Sequence, residues 1–184
     1  MTMRIAALTL SLLSVAASAG ELKGVKMPDS VNVAGKDLKL QGMGLRTKAM
    51  FKVYVAGLYL EAPSSEPDKI IASDTVRRVD MTMMRDLGKD KIVSAINEGI
   101  EKNSKDKMAS LKERLDKFAG AVPDLKEGQT LSITYVPGKG TSVKGAGGNE
   151  MTVEGKDFAD AILLVWLGKN PVDDDLKKGM LGGK

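Results

Sequence analysis

Arg46 is the first residue in this chain that could do chemistry. It is a lone arginine just after Gly42 and Gly44, ahead of the apolar run Met50–Leu60. A guanidinium at the mouth of an apolar sheet suits a carboxylate, because its planar fork can bond both oxygens. An ion pair with Asp or Glu that pins the turn would use the same group. Asp173, Asp174 and Asp175 offer the chain's carboxylate cluster. They could face a metal, but they also open a short helix that ends in Lys177 and Lys178, which complements the helix dipole. The chain has no cysteine and no histidine. That removes thiol nucleophiles, Ser-His-Asp triads, His or Cys zinc sites and disulfides. Gly138-x-Gly140 and Gly145-x-Gly147-Gly148 lack the strand-then-helix setting a phosphate loop needs, so they read as turns.

The elements that must position these groups follow from periodicity. Met50–Leu60 reads as a strand apolar on both sides, hence central in a sheet. Phe51, Val53, Val55 and Tyr59 share one side; Met50, Lys52, Tyr54 and Leu58 share the other. Gly42 and Gly44 read as a flexible turn through which Arg46 enters the sheet. Before it, Gly20–Asp29 is a lead-in, and Val31–Val33 and Leu38–Gln41 form a meander. Thr75–Met84 is a second long strand. Val79, Met81 and Met83 face one way; Arg78, Asp80 and Thr82 face the other, toward solvent or a polar cleft. Lys89–Asn103 is a helix with its stripe on Ile92, Ile96 and Ile100. A second helix carries Met108, Leu111, Leu115 and Phe118, and ends at Gly120 and Pro123. The two form a hairpin that must bury its stripe against the sheet. Gln129–Val136, Thr141–Gly145 and Asn149–Val153 are strands. Helices follow at Gly155–Leu167, with Gly168 as C-cap, and at Val172–Met180. Strands and helices are segregated, so the fold class is α+β, an antiparallel sheet with helices on one face.

The chain has 184 residues and a formal charge of +4. Its basic residues are scattered among acids and aromatics make up 4% of it, which argues against a nucleic-acid surface. Residues 1–19 read as a secretory signal peptide. A short basic start precedes the apolar run Ile5–Ala16, and Ala17-Ser18-Ala19 is an A-x-A cleavage site. No later stretch is long and apolar enough for a membrane span. Without cysteine there is no lipoprotein anchor. The expectation is an exported, periplasmic protein whose residues 20–184 form a single domain.

GMGLR at Gly42–Arg46 and KVYVAGLYLE at Lys52–Glu61 resemble the core of the chalcone isomerase-like family. MRDLGKDKIVSAINEGIEKN at Met84–Asn103 and FADAILLVWLGKNPVDDDLKKGML at Phe158–Leu181 are similar to segments of its bacterial exported branch. The resemblance implies an open-faced β-sandwich with helices packed on a large antiparallel sheet. Plant enzymes of the family close a chalcone to a flavanone; related non-enzymatic members bind fatty acids.

By resemblance, Arg46 matches an arginine that steadies a phenolate in the enzymes and holds a carboxylate in the fatty-acid binders. Tyr54 falls where the enzymes carry a threonine, and Arg78 where they carry a lysine. The catalytic tyrosine is absent: Asp86-Leu87-Gly88-Lys89 stands in its place. Ala95 lies at the helix asparagine position, with Asn97 two residues away, and Val165 replaces a Ser or Thr. The expected function is therefore non-catalytic binding of a fatty acid or similar amphipathic anion by Arg46, Tyr54 and Arg78. No metal, cofactor or nucleic-acid partner is expected. An isomerase (intramolecular lyase) acting on a phenolic or enone substrate is the alternative, and a structural or partner-binding envelope protein a further one.

Overall fold

Alternating apolar residues in successive runs build a single antiparallel meander. The computed structural model describes residues 19–147 and 150–183, so the signal-peptide reading falls almost wholly outside them. The strands are β1 (Ala19–Leu22), β2 (Val25–Pro28), β3 (Ser30–Val33), β4 (Lys36–Lys48), β5 (Phe51–Leu60), β6 (Arg77–Met83), β7 (Thr130–Val136), β8 (Gly140–Lys144) and β9 (Glu150–Val153). The helices are α1 (Pro67–Ala72), α2 (Lys89–Ser104), α3 (Met108–Ala121), α4 (Lys156–Leu167) and α5 (Asp174–Met180). β3 to β9 form one seven-stranded sheet in chain order, every neighbour antiparallel. This is the expected α+β open-faced sandwich.

β5 is an inner strand, as its two-sided apolar pattern predicts, and every residue from Tyr54 to Leu60 is buried. The helix side of the sheet carries the main core: Tyr54, Leu58, Met81 and Met83 against the helices. α4 is buried on nearly every side, from Phe158 to Leu167. That explains its unbroken apolar sequence. α3 packs on β8 and β9, but α2 packs chiefly on α4 rather than directly on the sheet. Gly99 permits this, since a Cβ there would come to 2.8 Å from Val165 Cγ1.

Three local readings are corrected. Gly42 and Gly44 are not a turn; they lie inside the 13-residue strand β4. Their lack of a side chain admits α5, for a Cβ on Gly44 would strike the Leu176 carbonyl and one on Gly42 the backbone of Gly179 and Gly182. Met50 is not in the strand. It forms, with Ala49, the two-residue β4–β5 turn, at φ 66° and 46°. Residues 20–29 are more than a lead-in, because β1 and β2 pair as a hairpin around Lys23-Gly24. That hairpin lies on the sheet face opposite the helices, where Met27 covers Gly57 and the Tyr59 hydroxyl donates to the Pro28 carbonyl at 2.9 Å.

Candidate functional site

Arg46 and Tyr54 are directly opposed across β4 and β5. They therefore share a face of the sheet, the one the helices cover. Arg46 is partly buried, with 21% of its side chain exposed. Its Nη1 donates to the Thr47 carbonyl at 2.8 Å and to Asp173 Oδ2 at 3.2 Å. The Thr47 backbone N–H also donates to Asp173 Oδ2, at 3.2 Å. The other oxygen of Asp173 accepts from the Leu176 N–H at 3.0 Å, capping α5. One carboxylate thus ties β4 to the start of α5. The aspartate run is explained from its first member: Asp173 is the cap, while Asp174 and Asp175 fill the first turn. Among the described residues no three His, Cys, Asp or Glu side chains converge on a common point.

Arg46 spends one guanidinium nitrogen on these bonds; its Nε and Nη2 have no partner among the described residues. The Tyr54 hydroxyl accepts from Trp166 Nε1 at 3.1 Å, and its own proton has no acceptor among the described residues. Burial raises Tyr54 to about 12, with the Trp166 bond and the Arg46 charge pulling the other way. At neutral pH it is a phenol, able to donate. The pair can therefore present cationic and neutral donors to an anion at the end of the sheet.

Arg78 is elsewhere. It pairs in register with Tyr59, whose side chain packs with Leu38 and Val76 on the opposite face. There its Nε donates to Asp80 Oδ1 at 2.7 Å and its Nη2 to Ser132 Oγ at 2.9 Å. It lines an open polar groove of about 640 Å³ with Ser132, Thr134 and Ser142. The sheet itself separates Arg78 from Arg46 and Tyr54, so the three do not form one site.

The arginine of β6 that faces the helices is Arg77, 3% exposed. It donates to the carbonyls of Ile70, Ile71 and Ser73 at 3.0, 3.2 and 3.3 Å, and to Asp160 of α4. Its guanidinium lies 4.9 Å from the centre of the Tyr135 ring. Strand periodicity held the signal for this, since Arg77 is in phase with Val79, Met81 and Met83. Between Arg77, Tyr135, Thr141, Ile162 and Trp166 lies a cavity of about 20 Å³, room for roughly one water. Thr141 Oγ1, on its wall, is buried without a hydrogen-bond partner among the described residues. A hollow of about 700 Å³ beside the loop from Ala62 to Glu66 is open to the surface.

The chalcone isomerase-like family model matches residues 19–182. The chain belongs to the chalcone isomerase-like family. No curated protein matches it. Among solved structures it is similar to the crystal structure of an Arabidopsis thaliana fatty-acid binding protein, with 18% identity and a TM-score of 0.70. That match covers 89% of this chain and 96% of the other, and at this identity it speaks for the fold. In this chalcone isomerase-like chain the stretch that would carry the catalytic tyrosine is used structurally: Leu87 exchanges backbone bonds with Leu125 at 2.8 and 3.0 Å. Ala95 is exposed on α2. Val165 is committed to packing over Gly99. The helix asparagine with a defined task is Asn103, whose amide donates to the carbonyls of Gly99 and Asn170 and whose oxygen accepts from the Asn170 N–H, at 2.8, 2.9 and 2.9 Å. It clamps the end of α2 to the α4–α5 connection.

Proposed function

We propose that this protein is a non-catalytic, periplasmic member of the chalcone isomerase-like family that binds a carboxylate-headed amphipathic molecule, a fatty acid or similar. One observation carries the reading: the Arg46–Tyr54 cross-strand pair on the helix-covered face, with Arg46 held by an internal carboxylate through one nitrogen. A ligand carboxylate would take the place of Asp173 on Arg46 and accept from Tyr54. The name of the similar plant protein supports a fatty acid as the class, and the pattern of residues 1–19 supports export. The tail would enter between sheet and helices, where the cavity beside Arg77 and Trp166 offers only about 20 Å³. Uptake therefore requires α4 or α5 to move from the sheet.

The closed interior favours a second reading, a structural or partner-binding envelope protein in which Arg46–Asp173 is simply a brace. Titration of the purified protein with a fluorescent fatty acid, backed by native mass spectrometry, separates the two. Ligand binding predicts saturable uptake that Arg46→Ala weakens by roughly 10- to 100-fold, the worth of a charge-assisted hydrogen bond. No uptake by the wild type leaves the brace.

A further inference from the structure

The β4–β5 hairpin ends in an apolar tip. Met50 is 95% exposed and Phe51 62%, by far the most exposed large apolar side chains among the described residues. The turn that holds them is unfavourable for its sequence. Both Ala49 and Met50 have positive φ, as a two-residue hairpin turn with this twist demands, and Asn-Gly is the pair that adopts it without steric cost. A methionine here gains no packing, and it stands almost wholly in solvent at the turn.

The surroundings of the tip are basic. Lys48 faces Phe51 across the hairpin, Lys52 follows, and the Arg85 guanidinium lies 5.1 Å from the centre of the Phe51 ring. All three are exposed and none is in an ion pair among the described residues. Asp86, next to Arg85 in sequence, is paired with Lys126 at 2.9 Å, and Asp173, which accepts from the Thr47 N–H beside Lys48, is paired with Arg46. A convex apolar point ringed by unpaired cations matches a surface that is negative outside and apolar beneath. A protein partner would need a pocket shaped for the protrusion; a bilayer accepts it as it stands.

We propose that the Met50–Phe51 tip docks this protein on anionic lipid membranes, with Lys48, Lys52 and Arg85 on the headgroups. Arg46 lies on the same strand, a few residues from the tip. Docking would bring it to the surface from which an amphipathic anion partitions. This last step rests on the binding function proposed above; the docking itself does not.

Flotation of the purified protein with vesicles tests it without any fatty acid. Binding is expected to vesicles of phosphatidylethanolamine with phosphatidylglycerol, to fall with added salt, and to be weak on phosphatidylcholine alone. Met50→Gly with Phe51→Ser should lower the binding by at least about tenfold, since two apolar side chains no longer insert. Met50→Gly also relieves the turn, so the variant should unfold no earlier than the wild type. Wild-type binding that is absent, equal on both vesicle types, or unchanged in the double variant overturns the proposal. Fatty-acid titration in free solution fails or succeeds independently, so the two proposals fall separately.

Discussion

Arg77 and Arg78 are adjacent in sequence and opposite in fate. A strand points successive side chains to opposite faces, so one is buried against the helices and the other lies in a polar groove. Arg46 shares the face of Arg77 but reaches a different end of the helix layer. Its partner Asp173 has two tasks, capping α5 and holding the guanidinium, and a substitution can separate them. Asparagine caps as well as aspartate, so Asp173→Asn should keep the fold while removing the charge that competes for Arg46. In the fatty-acid titration it should bind more tightly, by up to roughly fivefold for a partly exposed ion pair. Weaker binding would mean that Asp173 positions Arg46 rather than competing for it.

At the scale of elements, α5 is short, and the way it docks explains the glycines of β4. Gly42 and Gly44 face it from the strand, and Gly179 faces back, with a Cβ there reaching to 2.8 Å from Gly44 Cα. None of the three has a positive φ, so close approach rather than backbone freedom requires them. Gly44→Ala should push α5 off β4 and cost about 1–3 kcal/mol, the usual range for overpacking. Chemical denaturation would report it as a lower midpoint at unchanged slope. If α5 must also move for uptake, the same variant should show faster ligand exchange. A midpoint equal to that of the wild type would show the contact to be looser than it stands here.

At the scale of the whole molecule, the three tyrosines report on the integrity of both faces. Burial is the main cause that raises each of them: Tyr54 and Tyr135 to about 12, and Tyr59 further still. Tyr135 is raised also by donating to Asp74. The folded state therefore favours the neutral phenols, while an unfolded chain ionises near pH 10. The stability they confer is complete below about pH 10 and is lost as pH rises toward about 12. Denaturation midpoints should fall across that window, and phenolate absorbance should appear together with loss of structure. Phenolates forming near pH 10 in a chain that keeps its native circular dichroism would contradict the burial of both faces.

The sequence by itself determined most of the elements from β5 onward, though not the β1–β2 hairpin or the full length of β4. Period-two patterns in β5, β6 and β7 and the apolar stripes of α2 and α3 survive intact in the structure, because burial of one face is a local property of the pattern. Glycine and proline marked where helices end. Tertiary structure decided the rest. Whether Gly42 and Gly44 turn the chain or admit a helix depends on α5, more than a hundred residues away in sequence, whose approach no local signal carries. Whether Arg46 is free or braced depends on Asp173 for the same reason. That Arg78 lies on the far side of the sheet from Tyr54 followed only once the pairing of β5 with β6 fixed the register. Met50 left the strand because the hairpin needed two residues to turn, which placed an apolar side chain in solvent beside the candidate site.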